Sequence, residues 1–294
     1  MARRHPARAA VLLLAASSVA AGVIGFACGL DVPGGAPPLV VPVDTGTDVQ
    51  PSLPETGPVP DGATDAGVDA RSDCPTTTRG PAMIRVPDSG YCIDSTEVTN
   101  AQYNDFLRAT DASVTSPALD GGLPDACAPL TTFNRKNGPR DGGNPALAVN
   151  RVTWCDALTY CKWAGKRLCG GVGADRDASA GEWMMACSRG GTQAYPYGST
   201  WNDAGCWEND PGGSVRAVAS KPACVGPPGV FDLSGNVREW IDSCDGVDQC
   251  ANVGSTYASV HDGTSVIGTC REAYDYGRFG ADPTIGFRCC ASAE

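Results

Sequence analysis

The sequence predicts one α+β domain, poor in regular secondary structure and rich in disulfides, behind an N-terminal export segment. Three observations predict this fold class. Helical periodicity occurs in three places, all between residues 99 and 189. After Gly190, glycine, proline and asparagine recur every few residues, which indicates loops and short strands. The chain also has fifteen cysteines, and such a number in an exported, loop-rich chain indicates a disulfide framework.

The first 27 residues are typical of an export signal peptide. Basic residues within positions 1–8 precede the apolar run Ala9–Ala21, which is too short to span a bilayer. Cys28 follows Ala27, and this arrangement predicts that Cys28 is acylated in an exported lipoprotein anchored to the membrane of the bacterial envelope. The alternative is ordinary cleavage near Ala27, which would release a secreted protein.

Residues 28–73 have the composition of an acidic tether. From residue 29 onward they carry eight carboxylates against one base, Arg71, among many proline, glycine and alanine residues. Such a segment buries too little apolar surface to offset its ordering entropy, and its charges repel one another. We therefore expect a disordered tether that holds a folded domain, residues 74–294, away from the membrane.

The charge balance argues against a nucleic-acid partner. The chain has 33 acidic and 22 basic residues, which gives a formal net charge of -11 at pH 7. Nucleic-acid affinity depends on basic patches that neutralise phosphates. The expected partners are instead a peptide, a protein or a small ligand at the cell envelope, and the membrane itself through the lipid anchor.

The domain is expected to begin with two extended segments and a helix. Met83–Val86 alternates apolar and polar residues, as a strand does, and Tyr91–Val98 is a second extended run. Thr99 is a suitable N-cap for the first helix, with Gln102 at the capping-box position. The apolar face of this helix consists of Tyr103, Phe106 and Leu107. Residues 111–148 lack periodicity and predict a long surface loop.

Two further helices are predicted. Thr153 caps the second helix, which ends at Gly165. Its inward stripe consists of Ala157, Tyr160, Cys161 and Ala164. Ser179 and Glu182 form a capping box for the third helix, which runs to about Arg189. Its buried side consists of Trp183, Ala186 and Cys187.

The cysteine count predicts seven bridges in the domain. Setting Cys28 aside for lipid leaves fourteen cysteines, an even number. Zinc is excluded because no Cys-x-x-Cys pair occurs and the mature chain has a single histidine. Cys74 and Cys92 flank the first strand and are placed to clip the start of the domain. Neighbouring Cys289 and Cys290 are expected to reach two separate partners.

A series of motifs recurs in a fixed order along the domain. They are Val152–Leu168, Gly181–Trp183, Ser188–Gly191, Tyr195–Gly198, Gly229–Trp240 and Ile285–Cys290. The ordered set resembles the formylglycine-generating enzyme family, also called sulfatase-modifying factor domains, from about Met83 to Cys290. The resemblance implies a mixed α+β fold that is related to C-type lectin domains.

The segment Gly229–Trp240 also suggests a calcium site. By resemblance, Asp232 and Glu239 supply carboxylates and Gly235 and Val237 supply main-chain carbonyls to a structural calcium ion. The spacing is compatible with this, since calcium prefers a shell of oxygen ligands. The alternative is that Asp232 and Glu239 cap turns or pair with basic residues.

The resemblance also implies an oxidase centre, in which two cysteines five residues apart bind copper(I) and convert a substrate cysteine to formylglycine. Cys270 matches the second of these, but Ser265 stands five residues upstream, and in a second register the position falls on Ala258. Neither register supplies a thiol. Ser255 corresponds to the active-site serine of the family, and Arg238 replaces a tryptophan that most members carry.

Cys270 is therefore expected to be a disulfide partner of Cys289 or Cys290, although pairing of Cys270 with either of them on copper is a conceivable alternative. The sequence favours a divergent binding module on the cell envelope that has lost the oxidase. The alternative is a formylglycine-generating oxidase that acts on a sulfatase cysteine. The expected binding groove consists of Tyr274, Tyr276, Arg278 and Phe279, which follow Cys270 where the family binds its substrate.

Overall fold

The structure is a computed structural model, and it describes most of the domain. The described residues are 74–133, 144–170, 181–202, 204–208, 210, 213–226, 229–259 and 268–294. The predicted signal peptide, the lipidation at Cys28, the tether and Ser265 lie outside the described residues. None of the helices in the described ranges is long and apolar enough to cross a membrane.

The described chain forms three short helices and ten short strands, joined by irregular segments. The helices are α1 Asn100–Ala109, α2 Trp154–Trp163 and α3 Glu182–Ser188, with a 3-10 turn at Asp125–Cys127. The strands are β1 Met83–Arg85, β2 Tyr91–Asp94, β3 Arg167–Leu168, β4 Val225–Gly226, β5 Val230–Phe231, β6 Arg238–Cys244, β7 Gln249–Val253, β8 Ala273–Gly277, β9 Ile285–Phe287 and β10 Cys289–Ser292. The expected α+β fold with little regular structure is confirmed.

Two four-stranded sheets organise the domain. The first has the order β1-β2-β10-β3 and is antiparallel, so the last strand of the chain lies between strands from its beginning and middle. The second has the order β8-β7-β6-β9, in which β6 pairs with β9 in parallel. In that sheet Asn252 is opposite Trp240 on one side and Tyr274 on the other. Strand β8 is therefore an edge strand.

The first two helices form where the sequence predicts them. Thr99 accepts a hydrogen bond from the backbone N–H of Gln102, whose side chain accepts one from Thr99 in return. Thr153 and Asp156 form the same capping box at the start of α2. Each box satisfies backbone donors that the first helical turn leaves without a partner.

The cap predicted for the third helix is wrong. The N-cap of α3 is Gly181, which has no side chain with which to cap the helix, and Ser179 lies outside the described residues. The two oxygens of Glu182 each accept from Arg167 at 2.5 Å, and one also accepts from Gly170 N. The Glu182 carboxylate thus forms an ion pair with Arg167 instead of the predicted capping box.

Aromatic side chains from all parts of the domain form the main core around α2. They include Tyr103, Phe106, Phe133, Tyr160, Trp163 and Phe287. Neighbouring rings lie 4.7 to 6.4 Å apart between centroids, within the range of favourable ring contacts. A second core packs α3 against the inner face of the β6-β7 sheet. Together the two cores fix the segment from β5 into β6, which contains the predicted calcium ligands Asp232, Gly235, Val237 and Glu239.

Seven disulfides bridge all fourteen cysteines of residues 74–294. They are Cys74–Cys92, Cys127–Cys155, Cys161–Cys289, Cys169–Cys290, Cys187–Cys270, Cys206–Cys224 and Cys244–Cys250. The predicted Cys74–Cys92 clip and the separate partners of Cys289 and Cys290 are confirmed. So many bridges are typical of a protein that matures outside the cytoplasm.

Candidate functional site

The inner face of β6 carries one of the carboxylates predicted to bind calcium. Glu239 is fully buried, and both of its oxygens are engaged. Arg288 donates from Nε to Oε2 at 2.7 Å and from a terminal nitrogen to Oε1 at 2.8 Å, and the indole N–H of Trp183 donates to Oε2 at 2.8 Å. Arg288 also donates to the backbone oxygens of Asp94 and Phe231. Pairing of Glu239 with a base, the alternative to calcium binding, is therefore observed.

The segment that leads into β6 is a tight turn with three left-handed residues. Asp232, Gly235 and Asn236 have φ angles of 58°, 77° and 53°. A Cβ on Gly235 would lie 2.4 Å from the carbonyl oxygen of Trp207, so only glycine fits there. The turn directs Asp232 inward, where it is 1% exposed and accepts a hydrogen bond from Ala219 N at 2.6 Å. Left-handed residues other than glycine often mark functional segments.

Three buried carboxylates surround one buried guanidinium at this place. Glu97 is fully buried beside Asp232 and Glu239, and its Oε2 accepts from Asn236 Nδ2 at 3.2 Å. Burial, together with the charges of Asp232 and Glu239, raises the pKa of Glu97 well above its usual range. Burial also raises the pKa of Asp232 to about 6. Since Arg288 is the one basic side chain that faces these three carboxylates among the described residues, the cluster favours an additional proton or cation.

An additional cation would offset this surplus of negative charge, and Asp232 has the best-placed oxygen for one. Oδ1 of Asp232 and Oε1 of Glu97 are buried, and no described residue forms a hydrogen bond with either oxygen. Glu239 would first have to share its oxygens with Arg288 and Trp183. Accordingly, no three His, Cys, Asp or Glu side chains in the described ranges are arranged as a metal site. The carbonyl ligands expected from Gly235 and Val237 stay a prediction.

Ser255 lies in a closed network of hydroxyl and carboxylate groups. It is 1% exposed, accepts a hydrogen bond from Gly235 N at 2.7 Å and donates to Oε1 of Glu208. The same oxygen of Glu208 accepts from the Ser234 hydroxyl at 2.5 Å. Because its hydrogen is bound to a buried carboxylate, Ser255 stabilises the turn at Gly235. The geometry supports a structural role for Ser255 rather than the catalytic one that the resemblance implies.

The cysteine expected at the oxidase centre is not a thiol in the structure. Cys270 is bridged to Cys187 of α3, so its predicted pairing with Cys289 or Cys290 is wrong. The expected partners are bridged instead to Cys161 of α2 and to Cys169, the residue after β3. Copper(I) binding requires thiolates, and every cysteine in residues 74–294 is bridged. The residues present therefore do not fit the copper centre.

A surface pocket of about 260 Å³ opens where β6, β7 and β8 meet. Its lining consists of Arg238, Gly254, Thr256, Ala258, Ser259, Tyr274 and Thr284. The Arg238 guanidinium lies over the Tyr274 ring, 4.6 Å from its centroid, and donates to Thr284 Oγ1 at 3.1 Å. The pocket thus combines one cation, several hydroxyl groups and an aromatic wall. Arg238, which was noted only as a departure from the family pattern, is its central side chain.

Three of the four residues predicted to form a groove are exposed beside this pocket. Tyr274, Tyr276 and Phe279 are 44%, 37% and 41% exposed, and we call them the aromatic surface. Arg278 does not belong to it. Its side chain is buried, donates to the carbonyl oxygen of Ala126 at 3.2 Å and lies near the ring of Trp154. Arg278 is therefore buried, whereas the next residue along the chain, Phe279, is exposed.

Sequence reasoning missed Glu97, Glu208 and Arg288. Each is buried and charged, and each partner is distant along the chain, such as Glu239 at 49 residues from Arg288. A usable signal existed for Arg288, since it lies in the motif Ile285–Cys290. No local pattern pointed to Glu97 or Glu208, which stand in segments that resemble ordinary polar surface.

Comparisons with known proteins agree with this architecture. Residues 43–293 match the family described as Sulfatase-modifying factor enzyme 1-like domain. The chain is 27% identical over 197 residues to the formylglycine-generating enzyme of Mycobacterium tuberculosis. This match covers 51% of this chain and 62% of that enzyme, so it spans less than two thirds of the enzyme's length. It is 29% identical over 257 residues to the inactive C-alpha-formylglycine-generating enzyme 2 of Mus musculus, covering 73% of this chain and 79% of that protein.

Among solved structures, PvdO from Pseudomonas aeruginosa is similar at a TM-score of 0.49 and 17% identity, covering 75% of this chain and 95% of that chain. The family match extends over most of the sequence and agrees with the observed α+β fold and its bridges. The chain therefore belongs to the sulfatase-modifying factor, or formylglycine-generating enzyme, family.

Proposed function

We propose that this chain is a ligand-binding member of the family, displayed on the cell envelope, that has lost the oxidase activity. One observation carries the proposal: all fourteen cysteines of residues 74–294 are bridged, so the domain has no thiol to bind copper. The replacement of the usual tryptophan by Arg238 supports it. So does the exposed aromatic surface, which offers contact area to a peptide, a protein or a small ligand.

The oxidase is the second candidate function. Its support is the similarity to proteins named as formylglycine-generating enzymes, such as that of Mycobacterium tuberculosis. However, the relatives also include a mouse protein that is named as inactive. For this chain, an oxidase would require the Cys187–Cys270 bridge to open in the working protein.

An assay for conversion of cysteine to formylglycine separates the two candidates. The mature protein is incubated with copper(I), oxygen and a peptide that carries a sulfatase cysteine motif, and the peptide is weighed by mass spectrometry. The enzyme of Mycobacterium tuberculosis serves as the positive control. We expect no conversion by this chain. Turnover that disappears in Cys270→Ser would overturn the proposal in favour of the oxidase.

The location on the envelope has its own test. The disulfides support maturation outside the cytoplasm, and the expected acylation of Cys28 would anchor the domain through the acidic tether. Detergent-phase partition of the full chain is compared with that of Cys28→Ser, in which no lipid can be attached. We expect the variant to move to the aqueous phase. Equal partition of the two proteins would show that Cys28 carries no lipid and would favour a secreted protein without an anchor.

Calcium is proposed as a structural ligand of the turn before β6. The proposal is supported by the buried, unpartnered oxygens of Asp232 and Glu97, and by the excess of carboxylates over bases around them. Calcium favours oxygen ligands of this kind and would offset their mutual repulsion. Its expected effect is on stability rather than on ligand binding, since the exposed pocket is lined by other residues.

A further inference from the structure

The charge of Arg238 has no counterion in the part of the chain that the structure describes. No carboxylate oxygen of those residues lies within 4.0 Å of its guanidinium, whereas Arg167, Arg216 and Arg288 each have one at 2.5 to 2.7 Å. Its hydrogen bond to Thr284 uses one terminal nitrogen, and its Nε is buried with no hydrogen-bond partner among the described residues. A buried donor that lacks a hydrogen-bond partner destabilises the folded state. A partner that enters the pocket would offset this destabilisation.

The hydroxyl groups of the pocket present further donors. Ser259 Oγ accepts from Thr256 N at 2.9 Å, and Thr256 Oγ1 accepts from Ala258 N at 3.0 Å. Each hydroxyl also has a hydrogen to donate, for which the described residues supply no acceptor. A guanidinium and two hydroxyl hydrogens around one opening suit an anionic acceptor, and an arginine fork matches a carboxylate in geometry.

Strand β8 suggests what carries the carboxylate. It forms the edge of its sheet, and no other strand of the described residues lies along its outer side. Tyr274 and Tyr276 are two residues apart on this strand and both are exposed. This spacing equals the two-residue repeat of an extended chain, so alternate side chains of a peptide can lie on the two rings. Tyr274 belongs both to the aromatic surface and to the pocket wall, so the two are continuous.

We propose that the pocket around Arg238 binds a carboxylate of an extended peptide, whose neighbouring residues lie on the aromatic surface. This inference rests on the proposed binding function and adds the chemical class of the ligand. The carboxylate pairs with Arg238 and accepts from Thr256 and Ser259. Thr284 positions the guanidinium, and the cavity of about 260 Å³ has room for an acidic side chain or a chain terminus.

The test uses the full mature chain and three immobilised pools of hexapeptides with randomised flanking positions. The first pool has a central glutamate and an amidated C-terminus, and the second differs only by a central glutamine. The third has the central glutamine and a free C-terminal carboxylate. Retention of the fluorescently labelled protein is measured on each pool. We expect about tenfold stronger retention on a pool with the recognised carboxylate than on the neutral pool, a difference of about 1.4 kcal/mol.

Variants assign the effect to the pocket. Arg238→Gln should bind all pools as weakly as the neutral one, while Arg238→Lys, which keeps the charge but loses the fork, should retain a smaller preference. Arg108→Gln is the matched control, because it removes the same charge from an exposed position on α1 and should keep the full preference. Circular dichroism and the Tm verify that each variant is folded.

The outcomes separate this inference from the proposed function. Preference for either acidic pool that depends on Arg238 supports it and identifies the source of the carboxylate as side chain or terminus. Equal retention on all pools, a preference that survives Arg238→Gln, or no retention at all would overturn it. Arg238-dependent binding of oligogalacturonate without peptide binding would also overturn the assignment to a peptide. None of these results bears on the oxidase, which the formylglycine assay tests separately.

Discussion

Two consecutive residues of β6 show how this domain treats charge differently on the two faces of one strand. Glu239 points inward and has hydrogen bonds from Arg288 and Trp183. Arg238 points to the other face of the sheet, where its charge lacks a counterion in the described structure. The inner face satisfies its charges within the fold, whereas the outer face leaves one for a partner. The charges of the inner face therefore contribute to the stability of the fold, whereas Arg238 is placed to contribute to binding.

The largest expected effect follows from breaking the inner pair. Glu239→Gln removes the negative charge opposite Arg288, which is fully buried. Removal of one partner from such a pair typically destabilises a protein by about 3–5 kcal/mol, because the remaining charge is buried without compensation. Urea denaturation measures the loss, with Arg238→Gln as the control one residue away. The control should change the free energy of unfolding by about 1 kcal/mol or less. Equal losses in the two variants would contradict the comparison.

The bridge between α3 and Cys270 should have the next largest effect. Replacing both Cys187 and Cys270 by serine removes the bridge between two residues that are 83 positions apart in the sequence. We expect a loss of about 2–4 kcal/mol, the usual contribution of a native bridge. The thermal unfolding transition of the double variant measures it. The formylglycine assay is also applied to the Cys187→Ser variant, in which Cys270 has a free thiol. Absence of turnover there would show that the oxidase lacks more than a free thiol.

Calcium removal should have an intermediate effect on the inner face. If calcium occupies the carboxylate cluster, saturating calcium stabilises the native state by about 2.7 kcal/mol at a hundredfold excess over Kd. The Tm is measured in calcium and in chelator at pH 7, for the native chain and for Asp232→Asn. We expect the chelator to lower the Tm of the native chain and to have little effect on the variant. If the chelator does not change the Tm of the native chain, Asp232 is not a calcium ligand that stabilises the fold.

A smaller effect concerns pH and a second buried pair. Asp94 pairs with Lys166 at 2.5 Å, and both side chains are fully buried. Burial raises the pKa of Asp94 to about 6, although Lys166 acts in the opposite direction. The native state therefore holds the proton of Asp94 more tightly than the unfolded state does. The free energy of unfolding should fall as pH rises from about 4 to about 6 and then level off.

Urea titrations at several pH values measure this slope, in chelator so that calcium does not contribute. Asp94→Asn should reduce it, and the remainder should reflect Glu97, Asp232 and Glu272, whose pKa values burial also raises. A slope that is identical in the variant would show that Asp94 titrates normally in the fold.

Local patterns in the sequence predicted the parts of the fold that local interactions determine. The caps at Thr99 and Thr153 and the apolar faces of the first two helices were predictable, because capping boxes and helical periodicity act within a few residues. The number of bridges followed from the even cysteine count. The partner of Cys270 did not, because tertiary packing brings α3 next to it across 83 residues of sequence.

The same distinction applies to the candidate site. The motif around Glu239 indicated that its carboxylate has a structural or metal-binding role. The sequence could not show that Arg288 donates to both oxygens of Glu239. Likewise, Tyr274 and Tyr276 were expected at a binding surface, while the burial of Arg278 depends on how the chain turns after β8. Arg238 was visible only as an unusual residue, and its role required the pocket geometry.

The most direct test of the account is a peptide map of the mature protein under non-reducing conditions, after alkylation of free thiols in denaturant. The account predicts a linked pair of peptides that contain Cys187 and Cys270, and no alkylated cysteine between residues 74 and 294. Alkylated Cys270 in the native preparation would contradict it, because the domain would then keep a thiol where the family resemblance expects the copper ligand.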